Sequence, residues 1–204
     1  MLDNANARRS AARFIDPVAR LMLRLKVTPD GITWFGCGAT IFISVVFLAQ
    51  GNFLIGAILF GAFGLIDLLD GTMARMLGTA GPWGAFLDST LDRISDAAVI
   101  CALIYFYVNA DSSNSQLAVI AGIVSLVMSL MTSYARAKAE SLDAKCTVGI
   151  AERAERNLLI WVALLISALL ADVMPYALAA LAILSTVTVI QRILFVRKQL
   201  VIKA

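Results

Sequence analysis

The stretch Asp67–Asp92, DLLDGTMARMLGTAGPWGAFLDSTLD, sets four aspartates (Asp67, Asp70, Asp88 and Asp92) between two long apolar runs. The uncharged run Phe53–Ile66 before it and the run Ala97–Ala110 after Asp96 have 14 residues each. Both fall short of the ~20 residues a helix needs to cross a bilayer. Extending either run to membrane length draws the aspartates into the helix, near one face of the bilayer. Carboxylates placed there are costly and mark a candidate functional site.

The spacing adds detail. At about 100° per residue, Asp67 and Asp70 share one helix face, and Asp88 and Asp92 share a face of the next helix. Gly71 and Ala74 fall on the first face, Gly84 and Ser95 on the second. Such small residues leave room for a bulky group to lie against the backbone. Gly78, Gly81 and Pro82 supply a turn, so the two helices form an antiparallel hairpin with Asp70 and Asp88 at similar depth. Four facing carboxylates cannot all stay ionised unless cations join them. All-oxygen ligation suits a hard divalent cation such as Mg²⁺, Mn²⁺ or Ca²⁺. The plainer alternative is a set of helix-end aspartates facing water.

Hydrophobic residues make up 60% of the 204, and mean hydropathy is +0.86, which places the chain among integral membrane proteins. A single domain, 1–204, suffices. The chain has no His, so imidazole catalysis and His-ligated metals are excluded. Cys37, Cys101 and Cys146 lie far apart without a CxxC, which argues against a zinc site or a disulfide framework.

Along the chain, residues 10–27 interleave Arg13, Arg20, Arg24 and Lys26 with apolar residues. They read as a basic amphipathic helix lying in the membrane interface, with Asp16-Pro17 as its start, Asp16 at the N-cap. Thr28-Pro29-Asp30 breaks the chain. Residues 31–198 then read as a bundle of six spans: Gly31–Gln50, about 53–76, about 83–108, Leu117–Tyr134, roughly Asn157–Ala171, and Tyr176–Gln191 or a little beyond. The fold class expected is therefore an all-α integral membrane protein with six transmembrane helices plus an N-terminal amphipathic interfacial helix. The loops around 50–52, 109–116 and 172–175 hold no Lys or Arg. By the positive-inside rule both termini and the aspartate hairpin turn face the cytoplasm.

The remaining cytoplasmic charge gathers at helix ends. Arg136 and Lys138 end the fourth span, Arg153 and Arg156 open the fifth, and Arg192 ends the sixth. Arg forks match phosphate oxygens, so three converging ends point to an anionic acceptor, with Glu152 and Glu155 orienting the arginines. The alternative is that these residues only satisfy topology or anionic lipids.

Asp67-x₂-Asp70-Gly71-x₂-Ala74-Arg75-x₈-Gly84-x₃-Asp88-x₃-Asp92 matches the signature of the CDP-alcohol phosphotransferases at every position, and on it the chain resembles that family. Ser133–Glu140 and Gly149–Arg156 further resemble the actinobacterial phosphatidylinositol-phosphate synthases within it. The resemblance implies that Asp67, Asp70 and Asp88 hold metal, expected to be a pair of Mg²⁺ or Mn²⁺ ions, and that Asp92 is the catalytic base and touches metal too. It also implies that Gly71, Ala74 and Gly84 admit the cytidine nucleotide of CDP-diacylglycerol, that Arg75 steadies its phosphates, and that Asp30 borders it. Ser133, Arg136, Lys138, Arg153, Arg156 and Arg192 would form the acceptor phosphate site.

The activity expected is transfer of a phosphatidyl group from CDP-diacylglycerol to inositol phosphate, releasing CMP. A glycerol phosphate acceptor, giving phosphatidylglycerophosphate, is the alternative within the class. A cation or proton transporter with buried carboxylates is the alternative outside it, although transporters place such groups nearer the midplane. Membrane lipids and a second copy in a homodimer are the partners expected, with no nucleic acid, in a bacterial plasma membrane.

Overall fold

A computed structural model describes the backbone of residues 5–202 and the side chains of residues 15–64 and 69–201. Among the described residues the chain is all helical, with no strand: α1 (Ala5–Arg24), α2 (Pro29–Val46), α3 (Phe53–Leu77), α4 (Pro82–Asn109), α5 (Ser115–Glu140), α6 (Arg153–Leu169) and α7 (Met174–Ile202), with a 3-10 turn at Leu48–Gln50. Among the described residues, four stretches are long and apolar enough to cross a membrane: Pro29–Gln50, Phe53–Leu77, Ser115–Glu140 and Met174–Val201. α4 carries Asp88, Asp92, Arg93 and Asp96, and α6 has only 17 residues. Those two helices therefore differ from the other four in charge or in length.

The helix ends follow local chemistry. Thr28 caps α2, its Oγ1 accepting from the Gly31 N–H at 3.1 Å, with Pro29 at the first helical position. α3 closes on a Schellman motif: Thr79 N–H reaches the Ala74 carbonyl at 3.0 Å and Gly78 N–H the Arg75 carbonyl at 3.2 Å. Gly78 takes the left-handed conformation this requires, φ 67°. α1 and α5 end with the same bonding pattern, but Lys26 and Asp143 occupy the left-handed position.

The start expected for α1 is corrected. The helix already runs at Ala5 and contains Pro17 in its interior. Proline there removes one backbone bond and strains the preceding turn. The apolar spacing nonetheless continues through it, and Ile15, Ala19, Met22 and Leu23 all pack into one cluster. α7 also outruns the expected sixth span, continuing to Ile202 through the basic pair Arg197 and Lys198.

Two compact units emerge. The first comprises Met1–Ile43 and Ile58–Ser95. In it Ala19 of α1, Ile32 of α2, and Leu69 and Met73 of α3 form a buried cluster, so α1 packs on the aspartate-bearing part of α3. Cys37 of α2 packs against Leu87 and Leu91 of α4. The second unit comprises Ser44–Ala57 and Asp96–Ala204. Its main seam joins α5 and α7 through small buried residues. Ala118, Ala121, Gly122, Ser125, Ser129 and Thr132 recur at helical spacing on α5. Ser125 donates to the Leu178 carbonyl at 2.8 Å, and Ser129 meets Ser185 at 3.5 Å. Small residues let helix backbones approach, and hydroxyls then bond across the seam.

Candidate active site

In the first unit, α3 and the opening turns of α4 bring the signature to the ends flanking the Gly78–Gly81 turn. Asp70 is the deepest acidic group described there, 9% exposed. Its Oδ2 accepts the Thr33 hydroxyl at 2.7 Å, and its Oδ1 lies 2.5 Å from the Gly71 N–H. The Thr33 hydroxyl also lies 3.1 Å from the Pro29 carbonyl. Its single hydrogen serves the shorter, charge-assisted contact to Asp70 better. Asp88 and Asp92 are partly exposed. The backbone of Asp67 lies in α3, and its side chain falls outside the described residues.

Room beside the carboxylates is real at Gly84, where an added Cβ would meet nothing within 4 Å. At Gly71 an added Cβ would come to 3.4 Å from Arg75 Nη1, the mobile end of that side chain, and would meet no other described group within 4 Å. Arg75 is exposed and donates to Thr72 Oγ1 at 3.0 Å. Ala74 is partly exposed. Asp30, on the first turn of α2, accepts from Trp83 Nε1 at 2.9 Å, and the Trp83 ring leans on Phe86. Sequence reasoning missed Thr33 and Trp83. A hydroxyl three residues after Asp30 and a tryptophan opening α4 carry no sign of their partners, which lie 37 and 53 residues away.

Among the described residues, no three His, Cys, Asp or Glu side chains gather closely enough to hold a metal ion. The donors that the signature supplies are nevertheless all carboxylate oxygens, and Asp70 is already oriented by a hydroxyl, the support that a metal-bound carboxylate needs. That donor chemistry fits a hard divalent cation.

In the second unit, Arg153 and Arg156, at the start of α6, converge on one carboxylate of α4. Arg153 Nε lies 3.4 Å from Asp96 Oδ1, and Arg156 Nη2 3.6 Å from Asp96 Oδ2. Asn157 Nδ2 adds a contact to Oδ1 at 3.5 Å. Asp96 is thus a shared partner of the two arginines that the sequence did not assign to them. Arg156 also donates to the Ala151 carbonyl at 3.1 Å.

Arg192 of α7 is 3% exposed and donates to the Val148 carbonyl at 2.9 Å and the Thr132 carbonyl at 2.6 Å. It therefore ties the end of α5 and the following loop to α7, beside Ser133. Gly149 presses close there: its φ is 142°, and a Cβ would meet Thr188 Cγ2 at 2.6 Å. Arg136 is paired on the surface with Glu140 at 2.9 Å, and Lys138 is exposed.

Apolar helices of membrane length, together with an acidic turn bordered by glycines, make this a membrane protein built for work at charged groups. The sequence pattern of the CDP-alcohol phosphatidyltransferase family matches residues 26–196. The phosphatidylinositol phosphate synthase of Cutibacterium acnes is 39% identical over 196 residues, covering 92% of this chain and 94% of that protein. The archaetidylinositol phosphate synthase of Methanothermobacter thermautotrophicus is 39% identical over 189 residues, covering 92% and 91%. The solved structure of Mycobacterium tuberculosis phosphatidylinositol phosphate synthase with CDP-DAG bound has a TM-score of 0.85 at 34% identity, covering 91% of this chain and 94% of that one. A second structure of that enzyme, in complex with manganese and citrate, has a TM-score of 0.84. The chain belongs to the CDP-alcohol phosphatidyltransferase family.

Proposed function

We propose that this enzyme transfers the phosphatidyl group of CDP-diacylglycerol to inositol phosphate, giving phosphatidylinositol phosphate and CMP. One observation carries the choice of acceptor. Relatives equally similar to this chain over nearly its whole length are named for different lipids, phosphatidyl in one and archaetidyl in the other, yet both for inositol phosphate. The convergence of Arg153 and Arg156 fits an acceptor that brings its own phosphate.

In this reading Asp67, Asp70, Asp88 and Asp92 hold Mg²⁺ or Mn²⁺, two ions in all, with Thr33 fixing the angle of Asp70. Bound divalent ions neutralise charge on the diphosphate. The rest is done by the chain. Gly71, Ala74 and Gly84 admit the nucleotide, Arg75 draws in its phosphates, and Asp30 borders it. Asp92 takes the proton of the attacking inositol hydroxyl. The new bond from that oxygen to the phosphatidyl phosphorus replaces the bond to CMP, which leaves with the displaced electron pair. Arg153 and Arg156, together with Ser133, Arg136, Lys138 and Arg192, are assigned to the acceptor subsite.

The six helices α2–α7 span the membrane in this reading. α4 and α6 present apolar residues outward (Ile94, Tyr105 and Val108; Leu158, Val162 and Leu169), as lipid-facing helices do. α1 lies in the interface, with Val18 and Leu21 exposed beside Arg20 and Arg24. Both termini and the active site face the cytoplasm of a bacterial plasma membrane, and the enzyme works as a homodimer. The test is CMP release by purified protein with CDP-diacylglycerol and a panel of phosphorylated alcohols. Inositol phosphate should be preferred; preference for glycerol phosphate would overturn the acceptor assignment.

A further inference from the structure

Asp96 stands outside the aspartate signature, one helical turn past its last member, yet it is the group on which the two arginines of α6 meet. Its Oδ1 faces Arg153 Nε at 3.4 Å and Asn157 Nδ2 at 3.5 Å, while Oδ2 faces Arg156 Nη2 at 3.6 Å. The three charged side chains differ in access: Arg156 is 5% exposed, Asp96 15% and Arg153 33%. Arg156 is further held by the Ala151 carbonyl. It is an anchor, and Arg153 is the member that solutes can reach.

The distances matter. Charge-assisted bonds close at about 2.7–2.9 Å, so the carboxylate places both guanidiniums without drawing either into a tight pair. A third of the Arg153 side chain is open.

We propose that Asp96 is a positioning residue for the acceptor subsite: it sets Arg153, through the Arg156 anchor, in the orientation that receives the acceptor's phosphate. This rests on the functional reading above and assigns that subsite a residue from α4.

The test is steady-state kinetics of full-length protein in lipid nanodiscs, on the wild type and on Asp96→Ala, Asp96→Asn and Asp96→Glu, together with thermal midpoints. Asp96→Ala should raise the acceptor KM tenfold or more, with kcat and the CDP-diacylglycerol KM within threefold of wild type. Asp96→Asn, whose amide oxygen still accepts, should raise it less, and Asp96→Glu should recover part of the loss. Should Asp96→Ala fail to fold, a rise of at least threefold in the isosteric Asp96→Asn supports the proposal in its place. An unchanged or lowered acceptor KM overturns it, the latter showing that the carboxylate merely competes with phosphate. A fall in kcat and thermal midpoint without a KM split also overturns it. If the wild type prefers another phosphorylated alcohol, the functional reading fails by itself. The same KM comparison made with that alcohol then decides the role of Asp96.

Discussion

Thr33 on α2 donates its hydroxyl hydrogen to Asp70 on α3 across 2.7 Å, in surroundings that leave Asp70 only 9% exposed. The bond fixes one carboxylate oxygen and so the direction in which the other lone pairs point. Outer partners of this kind typically govern metal affinity or activity by about 10–100-fold. Thr33→Val keeps the shape and removes the donor. It should weaken activation by Mn²⁺ by about tenfold, read as the ion concentration for half-maximal CMP release, while Thr33→Ser stays near wild type.

Asp92 follows Asp88 by one turn on α4 and is partly exposed. A base lost from a phosphoryl transfer costs about 100- to 10,000-fold in turnover. Asp92→Asn should therefore lose turnover on that scale while still binding CDP-diacylglycerol in a calorimetric titration. Loss of nucleotide binding would instead make Asp92 chiefly a metal ligand.

Chelation tests the carboxylate set as a whole. EDTA should abolish CMP release, and either Mg²⁺ or Mn²⁺ should restore it. Asp70→Asn and Asp88→Asn should each shift that restoration to higher ion concentration. Full activity after exhaustive chelation would remove the metal from the mechanism.

Gly149 holds φ at 142° with Thr188 immediately opposite. Gly149→Ala asks for a strained backbone and a shift of Thr188, at a cost of about 1–3 kcal/mol. The thermal midpoint should fall, and the loop that receives the Arg192 guanidinium should become more open to protease than in the wild type.

Membrane orientation gives the last prediction. In a background with Cys37, Cys101 and Cys146 changed to alanine, Ser112→Cys and Lys145→Cys should react with an impermeant thiol reagent from opposite sides. Reaction of both from one side would refute the arrangement of six spans.

Much of this was legible in the sequence for a physical reason: carboxylates in apolar surroundings are so costly that their spacing reads as design. The same cost showed Asp70 and Asp88 to be exceptional without showing what holds Asp70. Thr33 is an ordinary residue near a helix start, and its value lies in a partner 37 positions on. Asp96 stood out in the sequence as a rival to Asp92 for handling the proton, but its tie to the arginines was hidden, because they come from α6, 57 and 60 residues later. Pro17 misled in the opposite direction. A proline after aspartate imitates a helix start, and only the packing of Ile15, Ala19 and Met22 around it reveals a helix already under way.

The hydroxyl of Ser125, spent on the Leu178 carbonyl, also bears on the order in which the protein is made. Leu178 is synthesised 53 residues after Ser125, a delay of roughly 3–10 s at ordinary ribosomal speed. Until then α5 is without its counterpart, and the Ser125 hydroxyl is left with the acceptor open to any helical serine, a carbonyl one turn earlier in its own helix. Ser129 waits likewise for Ser185. The α5–α7 seam therefore closes only after α7 has been made, and the bonds by which Arg192 holds the Val148 and Thr132 carbonyls close with it.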